Sequence, residues 1–181
     1  MRKRWIAGIA LTLALADSSG SIALAQDATT TQLAQAGEIS AEDQEFLTKA
    51  IQAGVAEVRL SELALEKAQN EDVRAFAERM VQDHTTANQR LLGLAERAGE
   101  TRPMEMDQKH QAMLQQLSQL SGEQFDRQYM QGQVQDHQAA VALFSSEANQ
   151  PTGPVDALAG ELLPALQQHL EMAQEISDSM V

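Results

Sequence analysis

The sequence predicts an all-α fold, a four-helix bundle with a short crossover helix between its second and third long helices. Three observations lead there. Aromatic residues are only 3% of the chain while apolar residues reach 43%, a mixture rich in Ala, Leu, Gln and Glu that favours helices over a sandwich or barrel. Four long segments carry apolar residues at heptad spacing. Helix start and stop signals separate those segments.

The elements follow in order. Residues 1–25 read as a secretory signal, with Arg2, Lys3 and Arg4 as the basic start, Trp5 to Ala16 as the apolar stretch and Ala23-Leu24-Ala25 as the cleavage site. That apolar stretch is short of the ~20 residues a spanning helix needs, and no later segment approaches it. Residues 26–39, rich in Thr, Gln, Ala and Asp, lack periodicity and read as a flexible leader. The bundle domain then occupies 40–178. Ser40-Ala41-Glu42-Asp43 is an N-cap followed by acids, and the first long helix runs to about Gln69. Asn70-Glu71-Asp72 starts the second, which ends at Ala98 before Gly99. After a connection containing Pro103, residues 107–120 form the crossover helix, with Met113, Leu114, Leu117 and Leu120 on one side. Ser121-Gly122-Glu123-Gln124 reads as a capping box opening the third long helix, to Ala148. Pro151-Thr152-Gly153-Pro154 breaks the chain, and the fourth runs from Val155 to Ser177. Pro164 predicts a kink or stagger inside it, with Gly160 four residues earlier making room.

Each apolar seam contains one polar intruder. The first seam is Phe46, Ala50, Ala53, Glu57, Leu60 and Ala64, flanked by Leu47, Ile51, Val58 and Leu65. The second is Val73, Ala77, Met80, His84, Ala87, Leu91 and Leu94; the third is Met130, Val134, His137, Val141, Phe144 and Ala148. The fourth is Leu158, Leu162, Ala165, His169, Met172 and Ile176. Glu57, His84, His137 and His169 each lie near the midpoint of their helix, so antiparallel packing predicts that they meet at one level. Val81-Gln82-Asp83-His84 is repeated as Val134-Gln135-Asp136-His137, and Phe76 and Tyr129 stand at equivalent positions before the two histidines. The two hairpins therefore read as diverged copies about a pseudo-twofold axis.

Three imidazoles and a carboxylate suffice to hold Zn²⁺, and also suit Fe, Cu or Ni, because neutral imidazole is a good ligand and the carboxylate offsets charge. Asp83 and Asp136, about 100° round the helix from the adjacent histidines, read as acceptors that orient an imidazole on a neighbouring helix. The same four residues also read as a hydrogen-bonded layer that fixes helix register without metal. Met80, Met130 and Met172 beside the layer read as packing, and His110 on the crossover helix reads as solvent-facing.

Composition excludes other chemistry. The chain carries a net charge of −13. Loss of Arg2, Lys3, Arg4 and Asp17 with the signal would take it to about −15, so phosphate backbones and anionic membranes are repelled and nucleic-acid binding is not expected. There is no cysteine, which removes thiol catalysis, disulfides and a lipoprotein anchor. No nucleophile, phosphate loop or acid/base carboxylate pair stands out.

The residues Phe46-Leu47, Glu57, Val73-Arg74-Ala75-Phe76-Ala77, Met80 through His84, Phe125-Asp126, Tyr129, His137, Leu163-Pro164 and His169 resemble the bacterial family called domain of unknown function 4142. The resemblance runs from Glu42 to Ile176. It implies a ferritin-like bundle, an exported, periplasmic protein and a role in envelope or stress physiology, without a settled activity. The ferritin di-iron pattern needs Glu-x-x-His on two helices and Glu on the other two. Here Val81 and Leu166 precede His84 and His169 by three, and His137 stands where a Glu is expected, so ferroxidase activity does not carry over. The leading reading is thus a non-catalytic or at most weakly catalytic exported bundle with a transition metal as its one suggested chemistry. A metal-dependent oxidoreductase or hydrolase, and an acidic interaction module, are the alternatives. Substrate, protein partner and oligomeric state leave no mark in the residues.

Overall fold

Helix-starting residues act through backbone amides that the first turn leaves free. In the computed structural model, which describes residues 39–97, 99, 105–150 and 153–180, five helices result: α1 (Ala41–Lys67), α2 (Glu71–Arg97), α3 (Gln108–Ser118), α4 (Gly122–Ala148) and α5 (Pro154–Ser179). The secretory signal, its cleavage site and all of the leader except Ile39 lie outside the described residues, as does Pro103.

Ser40 and Asp43 close a reciprocal capping box on α1, at 3.0 and 2.9 Å. The Asn70 side chain accepts from the amides of Asp72 and Val73 at 2.8 and 3.3 Å, starting α2. Gly99 takes φ +78, the left-handed conformation that ends a helix at little cost only in glycine. The capping box expected at Ser121 does not form. Ser121 makes no side-chain capping bond, and Gly122 after it adopts φ +59, outside the right-handed helical region that a regular first turn needs. Helix α5 begins one residue earlier than expected, because Pro154 fits the first helical position, where no amide hydrogen is needed. It stays helical through the exposed Pro164, and a Cβ on Gly160 would meet only Ala148 at an ordinary 3.7 Å, so no space is required there.

The helices pair as two hairpins, α1 with α2 and α4 with α5, which pack α1 on α4 and α2 on α5. The short α3 crosses from one hairpin to the other and touches α1 and α4. Lys67 anchors its end, donating to the carbonyls of Ser118 and Leu120 at 2.7 and 2.9 Å. Asp126 anchors the α1–α2 turn by accepting from the amides of Gln69 and Asn70.

Burying the seams produces two apolar clusters. One joins Phe46, Leu47, Ile51, Leu91, Phe144 and Leu158, with Phe46 edge-on to Phe144. The other joins Leu60, Phe76, Met80, Leu117, Phe125, Tyr129 and Met130. Tyr129 stacks on Phe125 and shares a 2.8 Å hydrogen bond with Ser61, both side chains being buried. Seam positions Ala53, Val58, Leu65, Val134, Val141 and Ile176 are half-buried. The polar layer lies between the two clusters.

Candidate metal centre

Heptad positions place His84 on α2, His137 on α4 and His169 on α5 facing inward, and all three are buried. Their rings meet. Centroids are 5.5 Å apart for His84 and His137, and 5.4 Å for each of the other two pairs. One nitrogen from each ring lies within 4.8 Å of the other two, and the Nε2 atoms of His84 and His137 are 3.4 Å apart. A tetrahedral ion with bonds of about 2.1 Å holds its donors about 3.4 Å apart, so this spacing matches a shared ion.

Bonds on the far side of two rings fix which nitrogen is free. His137 Nδ1–H donates to the Gln133 carbonyl at 3.0 Å, leaving the Nε2 lone pair facing the cluster. His169 Nε2–H donates to Asp83 Oδ2 at 2.9 Å, and Arg79 Nε holds that same oxygen at 3.2 Å. This leaves His169 Nδ1, a buried atom with no hydrogen-bond partner. Burial, reinforced by His137 and His169, pushes the His84 imidazole well below its ordinary range. Burial also takes His169 down to about 4 despite the opposing Asp83 carboxylate. These two rings are therefore neutral at neutral pH, the form that ligates metal.

Glu57, on α1, is buried but stands behind His137 rather than within the trio. Its Oε1 is 3.9 Å from His137 Nδ1, the nitrogen committed to Gln133, and its Oε2 has no partner. Burial pushes this carboxyl up, against the pull of His137. Asp83 sits as an orienting acceptor for an imidazole of the trio, whereas Asp136 faces elsewhere. Its Oδ1 takes Lys109 Nζ at 2.6 Å and lies 3.5 Å from His110 Nε2.

His110 is not solvent-facing. It is buried, and its Nδ1 pairs with Asp107 Oδ2 at 2.7 Å while Asp107 also caps its amide. The reason is that His110 shares a face of α3 with the buried Leu117, one heptad on. The bond to Asp136, then burial in opposition and the Asp107 bond, leave its imidazole above the ordinary range. Burial of Asp136 is outweighed by His110 and Lys109, which hold its carboxyl low. Met80 and Met130 are fully buried in the second apolar cluster, as packing residues.

A cavity of about 230 Å³ adjoins the trio. All three histidines line it, together with Glu57, Asn88, Leu91, Phe144, Leu162 and Leu166. Gly54 shapes one wall, since a Cβ there would lie 2.0 Å from Asn88 Oδ1. A separate group stands where α1 and α5 begin and α4 ends. Carboxylate oxygens of Asp43, Glu147 and Asp156 come within 4.8 Å of one another, and burial, then Asp43, pushes Glu147 up to about 7.

The fold is similar to that in the crystal structure of a DUF305 fragment from Deinococcus radiodurans. The TM-score is 0.70 over 78% of this chain and 99% of that one, at 19% sequence identity. No functionally curated protein matches the chain. A family model described as domain of unknown function (DUF4142) matches residues 28–176. The chain therefore belongs to the DUF4142 family.

Proposed function

We propose that this protein is an exported metal-binding bundle, taking one transition-metal ion between His84 Nε2, His137 Nε2 and His169 Nδ1. The observation that carries the reading is His169 Nδ1. A buried nitrogen with no partner costs about 1 to 3 kcal/mol, and a metal ion answers it while using the 3.4 Å spacing of the other two donors. A purely register-fixing layer leaves that nitrogen without a protein partner. Imidazole donors suit Zn²⁺, Cu²⁺, Ni²⁺ or Fe²⁺, and the Asp83–His169 pair is the carboxylate–histidine arrangement that strengthens a ligating ring.

Added metal should raise the unfolding midpoint of the native chain by mass action, about 2.7 kcal/mol at a hundredfold excess over Kd. The variants His84→Ala, His137→Ala and His169→Ala should each lose most of that gain. Equal gains in all four proteins would place the ion elsewhere.

Export is supported by Arg2, Lys3 and Arg4, the apolar stretch and Ala23-Leu24-Ala25. Material recovered from the native host should begin at Gln26. A retained Met1 would refute export by cleavage.

A further inference from the structure

Resting on the metal reading above, we infer that the ion keeps one coordination position open, and that a small, neutral, mainly apolar molecule with a lone-pair nitrogen or oxygen and a nearby N–H or O–H occupies it from the cavity. Structural metal sites are closed by four protein ligands, whereas sites that act on a ligand keep a position free. Here the protein supplies three donors. The α1 residue at the same level, Glu57, faces the back of His137 and leaves the fourth position to the cavity that all three histidines line.

The layer is asymmetric. On one side Met80, Tyr129 and Met130 fill the core, and none of them borders the cavity. On the other side lies the hollow of about 230 Å³, larger than the ~150 Å³ cavity that admits benzene. Leu91, Phe144, Leu162 and Leu166 give it an apolar wall, suited to an apolar body. Residues on its wall carry buried acceptor atoms without partners, Glu57 Oε2, Asn88 Oδ1 and Asp136 Oδ2, besides His169 Nδ1 itself. The lysines on the wall, Lys49 and Lys109, are already paired with Glu45 and Asp136, while an N–H or O–H would find a partner among these acceptors. Asn88 stands four residues, about 6 Å, beyond His84, so a ring of imidazole size reaches from the ion towards that side chain.

Cobalt(II) is a suitable probe because its visible bands report coordination directly. The full chain loaded with Co²⁺ and titrated with imidazole in mildly alkaline buffer should show a saturable band change. The affinity for 1-methylimidazole, which keeps the lone pair and lacks the N–H, should be weaker by about tenfold. In Ala165→Phe, which adds a ring to the cavity wall, the imidazole response should disappear while the cobalt bands in the same sample show that the ion is bound. Absence of any cobalt band in the native chain overturns the metal reading together with this one. A loaded site whose bands ignore imidazole leaves the metal reading standing and overturns the open position. Equal affinity for the two azoles overturns the acceptor role given to Glu57 and Asn88.

Discussion

Replacing Asp83 by Ala should weaken metal binding far more than it weakens the fold. Asp83 Oδ2 holds His169 Nε2 at 2.9 Å and Arg79 Nε at 3.2 Å, but its side chain is 36% exposed. Water therefore replaces much of that bonding, and the metal-free protein should lose only about 0.5 to 1 kcal/mol. The ligand suffers more. Without the carboxylate the His169 ring is free to rotate and to exchange tautomers, and loss of such an acceptor costs about 10- to 100-fold in affinity, roughly 1.4 to 2.7 kcal/mol. Asp136→Ala is the internal control, because Asp136 occupies the same place in the repeated tetrapeptide yet bonds Lys109 and His110. It should leave affinity little changed while removing about 1 to 3 kcal/mol of stability, since buried His110 loses a partner. Competition with a chromophoric zinc chelator reads the affinities, and urea unfolding of metal-free protein reads the stabilities. Wild-type affinity in Asp83→Ala, or equal losses in both variants, would refute the orienting role.

Two further outcomes follow from the buried polar groups. Tyr129→Phe and Ser61→Ala should each cost about 1 to 2 kcal/mol by stranding the other hydroxyl, while the double variant costs less than their sum; strict additivity in urea unfolding would contradict the 2.8 Å bond. Glu147 has a folded pKa of about 7 against an ordinary 4.5, so between those values the folded chain keeps a proton that the unfolded chain has released. Its stabilising contribution is full below about pH 4.5 and is lost as pH rises towards 7, an effect of order 1 to 3 kcal/mol. Glu147→Gln should remove that slope, and an unchanged pH profile of the unfolding midpoint would show that the carboxyl titrates normally.

Heptad spacing reveals the level and the face of a residue, and for His84, His137 and His169 that was enough to bring them together. It does not reveal which ring edge faces which neighbour. That is why Glu57, on the right seam, ends beside Nδ1 of His137 instead of among the free nitrogens. The repeated Val-Gln-Asp-His placed Asp83 and Asp136 alike, but the helices they face differ: α5 offers His169 to one and α3 offers Lys109 and His110 to the other. His110 is hidden from the apolar pattern because only Met113, Leu114, Leu117 and Leu120 mark the inner side of the crossover helix. Extending that stripe back from Leu117 by one heptad, with Asp107 three residues before His110 as a cap, would have found it. The cavity has no sequence signature. It arises from small and half-buried residues, Ala53, Ala87 and Ala165, whose heptad positions promise contact but whose volume does not fill the space.

X-ray absorption at the metal edge tests the central claim most directly, because it counts ligands and types them without assuming where the ion sits. Protein loaded with one equivalent of Zn²⁺ should show three imidazole nitrogens at about 2.0 to 2.1 Å and one exchangeable oxygen or nitrogen donor, falling to two imidazoles in His137→Ala. A shell made mostly of carboxylate oxygens, an imidazole count unchanged by His137→Ala, or a protein that retains no metal would contradict the account.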